Sequence, residues 1–144
     1  MKEMGDLYTL RGSVESSTAA TIPLRLTLFD GRFDTGYRVV KFEIFNDGDT
    51  TTDVQGVLGT GDNLTPITDW DFGDNQQIAW SQIHWWDFNI SSRQDVIDPD
   101  NLIIEDLYLY ATNTQRVNYI IQLQKYDISD WQGALGMVRN RSQA

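Results

Sequence analysis

The residues able to do chemistry are few. His84 is the single imidazole in the chain and there is no cysteine. Nucleophilic catalysis by a serine or cysteine needs a base beside it. His84 sits between Ile83 and Trp85 in an apolar stretch with strand character, so a hydrolase is not expected, and no second histidine at metal-ligand spacing accompanies it. Two acidic clusters, Asp47/Asp49/Asp53 and Asp69/Asp71/Asp74, hold oxygen ligands of the kind calcium takes. Neither fits the spacing of a calcium-binding helix-loop-helix, and aspartates that bond turn backbone account for both. Glu105 and Asp106 are adjacent, so on a strand they face opposite sides and cannot act as a glycosidase pair. There is no glycine-rich phosphate loop and no basic-aromatic interleaving. The expectation is a chain that binds rather than catalyses, with no catalytic residues, no cofactor and no metal.

Tryptophan is the other chemistry-bearing residue, with five in 144 positions. An exposed indole stacks on sugar rings or anchors a protein interface. Trp80, Trp85 and Trp86 lie close together, and Trp70 stands with Phe72 among acids. Neighbours on a strand point to opposite faces, so Trp85 and Trp86 are expected on different sides, one of them in the core. Trp70, Trp85 and Trp86 are the candidates for a partner surface.

The length matches one domain able to bury its own core without disulfide or metal. A single β-sandwich domain over 1–144 is expected. The 40% of hydrophobic residues, spread along the chain, argue against disorder. The first residues, Met-Lys-Glu-Met-Gly-Asp, lack the apolar run of a secretory signal, and no stretch reaches the roughly 20 apolar residues that span a bilayer. The net charge is -10, and between Lys41 and Arg93 there is no Lys or Arg against nine Asp and Glu. Phosphate backbones are bound through Lys and Arg, so neither nucleic acid nor membrane is an expected partner.

The elements that must position these residues read as strands. Thr21 to Phe29 alternates Ile22, Leu24, Leu26 and Leu28 against mostly polar neighbours, and Pro23 suits an edge position or a strand start. In Tyr37 to Phe45, Arg38, Val40, Phe42 and Ile44 alternate against Val39, Lys41, Glu43 and Phe45. A weaker strand runs from Asp53 to Leu58, then a long loop from Gly59 to Asn75. Ile78 to Ile90 reads as one strand or a bent pair. Leu102 to Ala111 and Arg116 to Tyr126 are expected to form a hairpin across Thr112-Asn113-Thr114-Gln115, with Val117, Tyr119, Ile121 and Leu123 on one face. Ser129-Asp130-Trp131-Gln132 resembles a capping box, and Trp131, Leu135 and Val138 recur at helical spacing, predicting a short amphipathic helix at about 130–141 that docks through them. About eight strand-like segments and one terminal helix give an antiparallel two-sheet sandwich of jelly-roll type.

The stretch Asp98-Pro99-Asp100-Asn101-Leu102-Ile103-Ile104-Glu105-Asp106-Leu107-Tyr108-Leu109-Tyr110, with Asn118-Tyr119-Ile120-Ile121-Gln122-Leu123-Gln124, resembles the closing strands of small accessory structural proteins of tailed-phage virions. Ile128-Ser129-Asp130-Trp131 and Val138-Arg139-Asn140-Arg141-Ser142-Gln143 look like their terminal helix. The resemblance covers about a third of the chain and implies a capsid decoration, or cement, protein. It implies binding to the major capsid protein on the virion surface after synthesis in the host cytoplasm, as a homo-oligomer such as a trimer. A carbohydrate-binding or phage receptor-binding module using exposed tryptophans is the alternative the composition also fits.

Overall fold

The computed structural model describes residues 2–14, 24–28, 35–47, 53–61, 70–87, 90–101, 103, 106–112 and 116–127. Eight strands follow one another: β1 (Lys2–Val14), β2 (Leu24–Leu26), β3 (Thr35–Phe45), β4 (Val54–Gly59), β5 (Gln77–Asp87), β6 (Ile90–Ile97), β7 (Leu107–Thr112) and β8 (Val117–Asp127). They pair into a three-stranded sheet, β1-β8-β3, and a five-stranded sheet, β2-β7-β4-β5-β6, antiparallel throughout. The two sheets pack face to face, so the chain is an all-β sandwich. The expected terminal helix lies outside the described residues.

Period-two patterning builds the core between the sheets. From β8, Val117, Tyr119, Ile121 and Leu123 are buried on one face, as the alternation predicts, and from β7 Leu107, Leu109 and Ala111 face them from the other sheet. Each large apolar side chain so buried contributes about 1.5–3 kcal/mol, the main stabilising term of a fold without covalent staples. Gly56 in β4 lets the layers approach: a Cβ there would lie 3.0 Å from Ile44 Cγ2 and 3.3 Å from Phe42 Cζ.

Three expectations change. On β3 the register steps from Val39↔Leu123 to Lys41↔Gln122, so Val40 is an extra residue. A bulge of this kind resets which side chains face inward. Val39, Phe42 and Ile44 are therefore buried, while Val40 is 43% exposed. The expected β7–β8 hairpin is not formed. β7 pairs with β2 and β4, and β8 pairs with β1 and β3, in the other sheet. Two apolar runs joined by four residues fit a crossover between facing sheets as well as a hairpin, and in the crossover each strand gains two partners inside its own sheet. Before β7, Ile103 makes an isolated bridge to Tyr37, and Leu102, Ile104 and Glu105 lie outside the described residues. β1 and β6 were not anticipated. β1 carries a register shift between Met4 and Tyr8 and a glycine, Gly5, at φ 70°, which together blur its alternation.

β3 is one of the two outer strands of its sheet, and its outward edge is closed by groups from elsewhere. Tyr37 exchanges two backbone hydrogen bonds of 2.7 Å with Ile103. The Val39 N–H donates to Asn101 Oδ1 at 2.9 Å, so a side-chain amide takes the place of a neighbouring strand. Further along, Ile44 N–H donates to Ser81 Oγ at 3.2 Å and Ile44 O accepts from Arg93 Nη2. Ser81 and Arg93 both donate to Asp95 Oδ1, at 2.5 and 3.0 Å. The Arg93 guanidinium also lies 4.4 Å from the ring centre of Phe45. Groups of β5 and β6 thus tie the edge of one sheet to the other.

Candidate functional site

β5 sets out the candidate site because its alternate residues face away from the core. Val57 of β4 pairs with Trp80 on one side and Tyr110 on the other, and these three form a second buried cluster on the outer face of the five-stranded sheet. Trp70 and Tyr108 pack against it. The segment 70–76 folds over Trp80: Phe72 meets the Trp80 ring edge-on at 4.6 Å, and Trp70 lies 6.3 Å from Phe72. Gln77 holds this cover in place. Its Oε1 accepts the Trp80 Nε1–H at 2.8 Å and the Asp71 N–H at 3.0 Å.

Two positions beyond Trp80, Gln82 donates to Gln94 of β6 at 2.5 Å. Further along the same face, His84 and Trp86 meet edge-to-face at 4.5 Å. Asp53, just before β4, accepts the Trp85 backbone N–H with Oδ1 at 2.8 Å and lies 3.1 Å from His84 Nδ1 through Oδ2. Phe72 is 64% exposed and Trp86 68%. Six residues at about 3.3 Å each separate Trp80 from Trp86 by about 20 Å, so the face is an aromatic stripe with an amide pair between its ends.

Trp70 and Trp86 therefore share a face. Trp85 turns with Ser81 and Ile83 to the opposite side of β5, as alternation requires, and is partly buried; its indole N–H, like that of Trp70, has no hydrogen-bond partner among the described residues. Trp131, Leu135 and Val138 lie outside the described residues. In the sequence Phe72 stands out only beside Trp70, and Asp53 only as one of the acidic cluster Asp47/Asp49/Asp53, while Tyr108, Tyr110, Val57 and Gln82 carry no signal for this face. They meet through strand pairing between distant segments, which local pattern does not encode.

Three further aspartates have structural roles. Asp71 and Asp74 accept the Gly73 and Gln76 N–H groups at 2.9 Å, closing turns. Asp106, buried, accepts from Arg25 Nε at 2.6 Å and from the Leu28 N–H at 3.0 Å, holding β2 against β7. Among the described residues no three His, Asp or Glu side chains group as a metal site, and no helix is long and apolar enough to cross a membrane. Burial pushes the Tyr119 hydroxyl above the ordinary tyrosine pKa.

With this geometry in place, the chain defines itself as an all-β sandwich with an aromatic outer face. No protein-family model, curated protein or solved structure matches it.

Proposed function

We propose that the chain is a non-catalytic virion structural protein, a capsid decoration or cement protein that binds the major capsid shell through the outer face of its five-stranded sheet. The observation that carries the reading is the pair of exposed aromatic side chains, Phe72 and Trp86, at the two ends of one face. Exposed aromatic anchors dominate the free energy of protein interfaces. The strand order supports a jelly-roll scaffold, a fold used by capsid proteins and lectins. In a jelly roll the eight strands divide as 1-8-3-6 and 2-7-4-5. Here β1-β8-β3 and β2-β7-β4-β5 follow that division, while β6 pairs with β5 and bonds β3 through Arg93. Fold alone does not assign function, and the virion setting comes from the resemblance of the last third of the chain.

The test is co-sedimentation with purified capsids, together with light scattering to count subunits. Saturable attachment that is lost in a Phe72→Ala/Trp86→Ala double variant is the expected result. Folded wild-type protein that stays in the supernatant at every concentration overturns the reading. The Gln82–Gln94 pair between the aromatic ends favours one second reading, a sugar-binding platform, since amides bond hydroxyls while rings stack on pyranose faces. A glycan array decides it: saturable capture of one glycan class supports the sugar platform.

A further inference from the structure

We infer that this face receives a cationic polypeptide surface, with Arg or Lys side chains of the partner over Trp86 and Phe72 and beside the carboxylates of Asp53 and Asp71. The inference rests on the reading of the face as the contact surface and names the chemistry of what it contacts.

Most basic side chains of the described strands lie on the three-stranded sheet. The tract without Lys or Arg supplies β4, β5 up to Asp87 and the segment over Trp80. On the outer face of the five-stranded sheet Asp53 and Asp71 are exposed, each close in sequence or contact to an exposed ring. The basic side chain on that face among the described residues is Arg25, on the far edge strand β2 and engaged with Asp106 at 2.5 Å. The other sheet carries Arg11, Arg38, Lys41 and Lys125 together with the acids Glu3, Glu43 and Asp127. A polyanion approaching the aromatic stripe meets the carboxylates of Asp53 and Asp71, whereas a cation meets both counter-charge and the negative faces of the rings.

Asp53 is built to accept such a group. One oxygen is fixed by the Trp85 N–H and the other lies against His84, which in turn packs on Trp86. Each carboxylate oxygen retains a further acceptor site, and the side chain is 61% exposed. A guanidinium reaching the ring of Trp86 therefore finds an oriented carboxylate on the other side of the His84 imidazole. The same chemistry already operates inside the molecule, where Arg93 lies over Phe45 at 4.4 Å and Arg38 over Tyr126 at 5.2 Å.

The experiment uses fluorescein-labelled octa-arginine as the probe and reads its anisotropy against the whole protein, with labelled octa-glutamate as control. Saturable binding of the arginine peptide alone is expected, weakened at least about tenfold when NaCl rises from about 50 to about 300 mM, because exposed charge attraction is screened over that range. Trp86→Ala and Asp53→Asn should each weaken binding about two- to fivefold, the scale of one exposed cation–π contact or ion pair. Both alter exposed side chains, and thermal melts check that they fold. Glu43→Gln, on the opposite sheet, is the control for mere attraction to an acidic protein and should leave binding unchanged. No saturable binding, or binding that Glu43→Gln weakens as much as Trp86→Ala and Asp53→Asn do, overturns the inference. Capsid attachment that ignores both salt and Asp53→Asn overturns it while leaving the decoration role standing. Peptide binding without capsid attachment does the reverse.

Discussion

Replacing Asn101 by alanine should open the edge of β3. Asn101 is 3% exposed; its Oδ1 accepts the Val39 N–H at 2.9 Å, and its Nδ2 donates to Asp98 O at 2.5 Å and, at the limit of a hydrogen bond, to Val39 O at 3.4 Å. The two good bonds contribute about 0.5–1.5 kcal/mol each, and stranding the buried Val39 N–H costs about 1–3 kcal/mol, partly the same free energy counted from the other side. A loss of about 2–4 kcal/mol is expected from a total of about 5–15 kcal/mol. Urea unfolding should show the midpoint falling with its slope unchanged, and Tm should drop by about 8–15 °C for a chain of this length. A second effect separates edge protection from simple loss of packing. An unpaired strand edge templates pairing with another chain, so light scattering should detect association of the variant that rises with concentration and is absent in wild type. A loss under about 0.5 kcal/mol with no new association would refute the claim that a side-chain amide stands in for a neighbouring strand.

Gly56→Val should destabilise the fold by about 1–3 kcal/mol in the same urea assay, because the added carbons meet Ile44 and Phe42 at 3.0–3.3 Å or less across the sandwich. Trp80→Ala should cost about 3–5 kcal/mol, since its ring is buried under Phe72, whereas Trp86→Ala on the same face should stay within about 0.5 kcal/mol of wild type. The raised pKa of Tyr119 means that the folded state holds its phenolic proton more tightly than the unfolded chain. The associated stability is fully present below the unfolded value near pH 10 and is lost as pH rises beyond it, so alkaline unfolding should shift to higher pH in Tyr119→Phe.

What the sequence makes legible is the local period. Val117, Tyr119, Ile121 and Leu123 read correctly as one buried face because nothing interrupts the alternation of β8. The same alternation grouped Val40 with Phe42 and Ile44 and set Val39 on the other face, because a single inserted residue swaps the faces without changing composition. Pro23 pointed to an edge, and β2 is indeed an outer strand. The partner of each strand was less accessible. Val57, Trp80 and Tyr110 come from segments more than twenty positions apart, and only the registers of β4 with β5 and β7 bring them together. The site was visible as a list of tryptophans, but its membership depended on that register. Alternation separated Trp85 from Trp86, while the cover over Trp80 depended on Gln77 bonding both Trp80 and Asp71.

The groups that stabilise this sandwich and the proposed contact surface lie on different parts of it. Folding is served by the interior between the sheets and by the side chains that close the β3 edge, where Asn101, Ser81, Arg93 and Asp95 are all engaged. The edge closure also removes one route to unselective strand pairing. On the outer face of the five-stranded sheet the balance is the opposite: Trp86 exposes most of its surface and contributes little to folding, yet it is held in place by His84, itself held by Asp53. An ordered ring that remains in water loses little rotamer freedom on docking and has most of its apolar area still to bury. That combination, an aromatic group already oriented beside a carboxylate already oriented, is what an interface anchor requires before its partner arrives.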